Sequence, residues 1–400
     1  MNIKAIDIRI CRFYTALFLR AILLLSPIML LFYEENGLSI PELFFFQGIF
    51  YLTSIIFEFP VGFLSDMFSR KKLLIFSFTI FLGIVLLWIF FKGFYIILFG
   101  EIMFGISKVI MDNTMSCYLY DYLSANNKQN MMPRYYGYLN FFLAAGTCVA
   151  AILGTWIYSK FGFKNLLFIQ SLLILISIFL IFTLPNIKFK RDTIKNKFYK
   201  FFNISKEIYN NKSIKYYILF SGLLTSISIL FVTSFQPLMQ NSMFPITLFG
   251  IIAFTNHGTR MLSGVIAGKL LKNINIKALI IPLFLLYIIG FCIVFFIMQM
   301  KNIPLITALL FIICLIICLQ LTFTILHISR IHKFISIEKR GNLMSINNFI
   351  SRAFAFVILI SSKLFIKDLG LQEYFSIIFA LYLLFGSYII IKLYKVKDLV

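Results

Sequence analysis

Residues 58–72 read EFPVGFLSDMFSRKK and lie between two apolar runs, each about 20 residues long. The stretch starts with an acid, Glu58, inside the first run and ends with three consecutive basic residues at 70–72. A short basic turn between two apolar runs of this length is typical of two membrane-spanning helices that are joined on one face of a bilayer. Long apolar runs separated by short charged segments continue along the whole chain.

The composition is that of a membrane protein. The chain has 400 residues, of which 61% are hydrophobic and 13% are charged, and its mean hydropathy is +0.95. Soluble domains are about 45–50% apolar and about 25% charged, so most soluble enzymes are excluded. The six cysteines lie in or beside apolar runs without paired metal-ligand spacing, and no glycine-rich phosphate loop is present. We therefore expect no metal and no cofactor.

About twelve apolar runs are long enough to cross the hydrocarbon core. We number them spans 1 to 12, and they centre near Leu23, Leu52, Leu82, Ser107, Ala145, Leu175, Ser226, Ile252, Leu286, Leu315, Phe356 and Leu383. Spans 4, 8 and 11 are the least apolar. The predicted fold is an all-α polytopic membrane protein with two pseudo-symmetric six-helix bundles, 1–185 and 216–400, joined by a basic linker at 186–215.

The distribution of basic residues predicts the topology. Loops on the side that holds both termini carry 27 Lys and Arg residues, and loops on the other side carry 6. The positive-inside rule then places both termini and the linker in the cytoplasm of a bacterium, with the spans in its inner membrane. Anionic lipid head groups account for the net charge of +22 without nucleic acid.

The two halves resemble each other at an offset near 205 residues. Residues 62–72 align with 264–272, and Gly162 aligns with Gly370. Weak internal repetition of this kind is typical of secondary transporters, whose solute site lies between the repeats.

The stretch at 58–72 also resembles a known signature. It is similar to the motif between helices 2 and 3 of the major facilitator superfamily, and the matching positions are Gly62, Asp66, Arg70 and Lys71. Met67 and Ser69 replace the usual basic residue and glycine. The spacing Glu-x-Pro-x5-Asp-x3-Arg-Lys looks more like some macrolide exporters and an atypical branch of tetracycline exporters. The superfamily resemblance covers the whole chain, and the exporter resemblance covers only this stretch.

This resemblance implies a cytoplasmic gate. Gly62 lets two helices approach closely, and Asp66 can accept hydrogen bonds from Arg70 or from the start of span 11. The residues assigned to gating are Glu58, Gly62, Asp66, Arg70, Lys71, Arg260 and Arg352. The alternative for residues 70–72 is a simple inside-positive anchor.

Span 4 carries the most unusual charge pattern. Glu101, Gly105, Lys108 and Asp112 are 4, 3 and 4 residues apart and so share one face. A charge at the bilayer centre costs about 2.5–3.5 kcal/mol on insertion scales, so these groups should pair or face water. Lys108 can pair with Asp112, and Arg20 lies at a similar depth in span 1. A self-neutralised packing cluster is the alternative.

Two departures from the superfamily bear on the direction of transport. Many antiporters carry an arginine in helix 4, four residues before a glycine, where this chain has Glu101. Their glycine pattern in helix 5 is kept at Gly137, Gly146 and Gly154, but alanines stand at 150–151 in place of Gly-Pro. The direction of transport is therefore open.

In the second half, a polar face lies on span 10. Gln320, Thr324 and His327 share this face and are candidates to line the cavity. His327 can titrate near neutral pH, or it can be a hydrogen-bonded packing histidine.

These features predict a secondary active transporter, monomeric, that moves a small solute by alternating access. We favour proton-driven export of an amphiphilic compound, with Asp112 or Glu101 accepting the proton and sodium as the other possible ion. The alternative is uptake of a small metabolite, or of an anionic solute held by Arg20 and Lys108. A polytopic membrane enzyme is disfavoured because the ionisable residues are spread through the spans and do not cluster at one interface.

Overall fold

The computed structural model describes residues 8–187, 210–270, 275–334 and 337–395. Within these ranges the chain is helical and contains no β-strand. The helices of the first half are α1 Ile8–Ala21, α2 Met29–Glu35, α3 Ile40–Met67, α4 Arg70–Phe90, α5 Phe94–Ala125 and α6 Met132–Phe182. Those of the second half are α7 Lys212–Asn241, α8 Ile246–Leu270, α9 Ile280–Met298, α10 Ile303–Phe334, α11 Ile337–Leu369 and α12 Leu371–Tyr394.

The predicted spans correspond to these helices. Ten segments of the described chain are long and apolar enough to cross a membrane. One of them, Arg134–Phe182, is 49 residues long and holds spans 5 and 6. Span 8 is α8, which is 25 residues long but too polar to be among the ten, as its low apolarity in the sequence suggests. The prediction of an all-α fold built from long apolar helices is confirmed for the described residues.

Two aligned glycines separate successive spans. Gly162 breaks α6 with φ 73° and ψ 178°, and Gly370 separates α11 from α12 with φ 105° and ψ 168°. L-residues rarely adopt this backbone conformation, so glycine is required at both turns. The predicted repeat therefore has a turn that requires glycine at the same place in both halves, after span 5 and after span 11.

The chain divides into two compact units. Unit 1 comprises residues 1–39, 53–192 and 245–257, and unit 2 comprises 40–52, 193–244 and 258–400. The predicted bundles at 1–185 and 216–400 remain a prediction, and most of the linker at 186–215 lies outside the described residues.

In unit 1, α6 packs against α1, and α4 packs against α5 and α6. Small residues on α6 allow this approach. A Cβ atom at Gly146 would lie 2.5 Å from the Phe18 carbonyl oxygen, and one at Gly154 would lie 2.1 Å from the Leu24 carbonyl oxygen. Span 1 is interrupted between α1 and α2, where the Leu24 amide donates to Gln170 Oε1 at 2.7 Å. A side chain therefore satisfies a backbone group that the break would otherwise leave unpaired in the core.

In unit 2, α7 packs against α10, α11 and α12, and α9 packs against α10 and α12. The first part of α3 also belongs to this unit. A Cβ atom at Gly48 would lie 3.1 Å from the Ile360 amide nitrogen, so this part of α3 lies directly against α11.

Candidate functional site

The Lys108–Asp112 pair that the sequence predicts is present on α5. Lys108 Nζ donates to both carboxylate oxygens of Asp112, at 2.6 Å each. The Lys108 and Asp112 side chains are 36% and 29% exposed, respectively. Both residues lie near the middle of a 32-residue helix. The pair is therefore partly exposed at mid-helix, where an unpaired charge in a membrane span would be costly.

Arg20 lies beside this pair but is buried. Its guanidinium carbon is 3.6 Å from the centre of the Phe81 ring, and Nη2 is 3.4 Å from Ser107 Oγ. Asp112 is the carboxylate that interacts with it electrostatically. Arg20 is only 1% exposed, so in this structure the Phe81 ring stabilises its guanidinium through a cation–π contact and a solute does not reach it.

Glu101 occupies a different environment on the same helix face. It is fully buried, and Oε1 accepts a hydrogen bond from the Tyr33 hydroxyl at 2.7 Å. Oε2 has no hydrogen-bond partner among the described residues. Trp88 lies against the preceding residue, since a Cβ at Gly100 would be 2.4 Å from its indole nitrogen. Sequence analysis did not identify Tyr33, which is distant in the chain from Glu101 and lies beyond the break in span 1.

A hydrogen-bonded network runs through unit 2 around Gln320. Gln320 Nε2 donates to Thr225 Oγ1 at 3.0 Å and to Thr324 Oγ1 at 2.9 Å. Gln320 Oε1 accepts from Ser228 at 3.3 Å, and Ser228 in turn bonds Tyr287. The predicted pair Gln320 and Thr324 is thus brought together with hydroxyl groups of α7 and α9. The sequence analysis identified neither the α7 partners Thr225 and Ser228 nor Tyr287, whose span is almost uniformly apolar.

His327 does not join that network. It is buried between two aromatic rings, with ring centres 5.7 Å from Phe323 and 5.9 Å from Tyr217. Its surroundings resemble those of a packing histidine.

The structure describes some of the residues that were predicted to form the gate. Arg70 Nε is 3.6 Å from Asp121 Oδ2, and Lys71 Nζ donates to the Leu184 carbonyl at 2.7 Å. The surroundings of Gly62 and of the Asp66 side chain are not described, and Glu58 is partly buried. Asp121, near the C-terminal end of α5, was not among the predicted residues, because its partner Arg70 comes from another helix.

Arg260 and Arg352 both belong to unit 2, on α8 and α11. Tyr51, from the part of α3 in the same unit, interacts electrostatically with both. Within the described residues, no three His, Cys, Asp or Glu side chains come together as a metal site would require.

Comparison with known proteins gives one family and a common fold. The family profile of the Major Facilitator Superfamily matches residues 11–360. The crystal structure of the nucleoside transporter NupG superposes with a TM-score of 0.78 at 15% identity, covering 97% of this chain and 100% of that one. A mutant of that transporter gives 0.81 at 14% identity with the same coverage. A D-xylose-proton symporter gives 0.72 at 13% identity, covering 97% of each chain. No curated protein matches the sequence.

Proposed function

The chain belongs to the major facilitator superfamily, and from this we propose that it performs proton-coupled uptake of a small polar solute, with Asp112 as the coupling acid. The chain is a multi-pass transporter and not an enzyme. Beyond membership of the family, we propose the direction of transport, the coupling ion and the residue responsible for coupling.

The observation that carries the proposal is the Lys108–Asp112 ion pair. While Asp112 is ionised, both of its oxygens are occupied by the Lys108 ammonium. A proton on Asp112 removes that charge, and Lys108 then needs another acceptor. The solute can supply it. Proton binding and solute binding therefore favour each other, which is the thermodynamic requirement for symport.

The same geometry is unfavourable for exchange of a cationic compound against protons. A cationic solute that competes for Asp112 would have to displace an ammonium held at 2.6 Å from both oxygens, and it would also meet the nearby charge of Arg20. Repulsion by two cations opposes that competition. The names of the similar structures, a nucleoside transporter and a D-xylose-proton symporter, agree with a small polar solute.

A second candidate is proton-driven export of an amphiphilic compound. The resemblance of residues 58–72 to exporter signatures favours it. The glycine spacing in span 5 adds little, because Gly146 packs α6 against α1 and Gly154 packs it against the break in span 1. In either case, we propose that both termini lie in the cytoplasm of a bacterium, in contact with anionic lipids, and that the protein is a monomer.

The test is transport by the purified protein in proteoliposomes with imposed proton gradients, using a panel of radiolabelled small solutes. Symport predicts accumulation when the outside is acidic, and export by antiport predicts accumulation when the inside is acidic. Asp112→Asn should retain solute exchange and lose proton-driven accumulation. The matched control is Glu35→Gln, which alters an exposed acid paired with Lys92 at 3.3 Å and should behave as wild type. Proton-driven accumulation by Asp112→Asn at the wild-type level would remove Asp112 from coupling.

A further inference from the structure

Glu101 is a fully buried acid of span 4 that has no counter-ion in the described chain. Its carboxyl group accepts one hydrogen bond, from the Tyr33 hydroxyl to Oε1 at 2.7 Å, and Oε2 has no partner among the described residues. It takes part in none of the ion pairs that these residues form. Trp88 packs on Gly100, the preceding residue, but its indole N–H is also buried without an acceptor, so α4 supplies no hydrogen bond to the carboxyl group.

The only titratable side chain of the described residues that bonds Glu101 is Tyr33. Other titratable groups lie on the elements around it, but none of them makes a hydrogen bond or an ion pair with Glu101. They are Glu34 and Glu35 on α2, Lys92 in the turn between α4 and α5, Lys108 and Asp112 on α5, and Tyr158 on α6. Of these, Glu35 pairs with Lys92, and Asp112 pairs with Lys108.

A carboxylate would be far less stable in this environment than a carboxylic acid. Burying an ion costs more free energy than one hydrogen bond from a neutral donor returns. A carboxyl group in such a place therefore takes up a proton and becomes neutral. The Tyr33 hydroxyl then donates to the carbonyl oxygen, Oε1, and the proton is carried by Oε2, the oxygen that accepts no hydrogen bond.

Tyr33 belongs to the short helix α2, which packs against the same part of unit 1. The neighbouring ring, Phe32, packs against Trp88 and Phe163, with ring centres 5.6 Å and 5.4 Å away. The break in span 1 separates α2 from α1, so α2 can move as a separate segment. Movement of α2 away from α5 would expose Glu101 to water, which can accept its proton.

We propose that Glu101 is a proton-binding site that holds α2 against α5. Glu101 is protonated while α2 is packed in place, and it releases the proton to water when α2 moves away. Rising pH then favours the open position of α2, because the closed site does not accommodate an ionised carboxylate. This acid is distinct from Asp112, whose charge is balanced by Lys108 at 2.6 Å. The site therefore does not depend on the proposed role of Asp112 in coupling.

The first test detects the proton directly, by infrared spectroscopy of the purified full-length protein in lipid nanodiscs at neutral pH. A protonated carboxyl group has a C=O stretching band that a carboxylate lacks. We expect Glu101→Gln to lose such a band. Tyr33→Phe should keep the band but shift it to higher frequency, because the hydrogen bond to the C=O oxygen is lost. Glu35→Gln is the matched control, since it removes an exposed acid paired with Lys92 and should leave the band unchanged.

The second test uses the two tryptophans of the chain to follow α2. Trp156 is 52% exposed, and in a Trp156→Phe background the remaining Trp88 reports on the contact with Phe32. We expect Trp88 emission to shift to longer wavelength as the pH is raised, because water reaches the indole when α2 moves away. With Glu101→Gln in the same background, the emission should stay at the short-wavelength position over the same pH range, because an amide does not ionise.

The proton site is overturned if Glu101→Gln keeps every carboxylic C=O band of the wild type, or if Glu35→Gln loses the same band. If Glu101→Gln does not fold, an unshifted band in Tyr33→Phe overturns the site instead. The role in holding α2 is overturned if Trp88 emission does not depend on pH, or if it depends on pH equally in Glu101→Gln.

These outcomes are separable from those of the transport assay. If Glu101→Gln loses the band but proton gradients drive no accumulation in proteoliposomes, the proton site at Glu101 stands and the proposed coupling fails. If Asp112→Asn abolishes proton-driven accumulation and Glu101→Gln keeps the band, the coupling stands and the proton site at Glu101 fails.

Discussion

Removing one hydroxyl group from the core of unit 1 should destabilise the protein measurably. Tyr33→Phe deletes only the group that donates to Glu101 Oε1 at 2.7 Å. Both side chains are fully buried, so water cannot replace the lost donor without a rearrangement. Oε2 of Glu101 already lacks a partner among the described residues, so the variant leaves the carboxyl group without a described side-chain donor.

The magnitude follows from this complete burial. A buried polar group that is left without its hydrogen-bond partner costs about 1–3 kcal/mol, so we expect a loss in this range in the free energy of unfolding. For a cooperative unit of about 150–250 residues, this lowers Tm by about 2–12 °C.

The assay is thermal unfolding of purified variants in one detergent. Tyr120→Phe is the matched control, because Tyr120 lies on α5 with Glu101 but is 50% exposed, and it should change stability by less than about 0.5 kcal/mol. Glu101→Met, which removes both acceptor oxygens, and the double variant complete a cycle in which the coupling energy should exceed about 1 kcal/mol. Equal effects of the two Tyr→Phe changes, or additive effects of Tyr33→Phe and Glu101→Met, would refute the reasoning.

Two further predictions concern packing and topology. Gly154→Ala places a Cβ 2.1 Å from the Leu24 carbonyl oxygen and should destabilise by about 1–3 kcal/mol, whereas Gly137→Ala, with no atom within 4 Å, should be neutral or stabilising by up to about 1 kcal/mol in thermal unfolding. In a background without the six native cysteines, Lys92→Cys should react with an impermeant thiol reagent from outside intact cells and Lys128→Cys only after permeabilisation. Reaction of both from outside would invert the predicted topology.

The sequence predicted the fold because a bilayer imposes length and apolarity on every helix. It also predicted that span 8 is among the least apolar. The break in span 1 was missed, although Pro27 marks it, because the run is apolar on both sides of the break. The Lys108–Asp112 pair could be predicted because i, i+4 residues meet within one helix whatever surrounds it. Tyr33 and Asp121 could not, because their partners come from other helices and helical spacing carries no information about those.

Glu101 and Asp112 share one face of span 4, but helical spacing does not predict what surrounds each of them. Glu101 and Asp112 are about 16 Å apart along the helix axis at 1.5 Å per residue. A helical wheel shows the angle of each residue around the axis but not its position along it. At one depth the acid meets a phenol in a dry core, and at the other it meets an ammonium and water. Arg20 shows a third arrangement, because Phe81 faces its guanidinium and Asp112 acts on it electrostatically. An anionic solute held by Arg20 and Lys108 together therefore requires Arg20 to leave the ring, whereas Lys108 requires only a proton on Asp112. This difference makes Lys108, and not Arg20, the residue of unit 1 from which solute recognition should start.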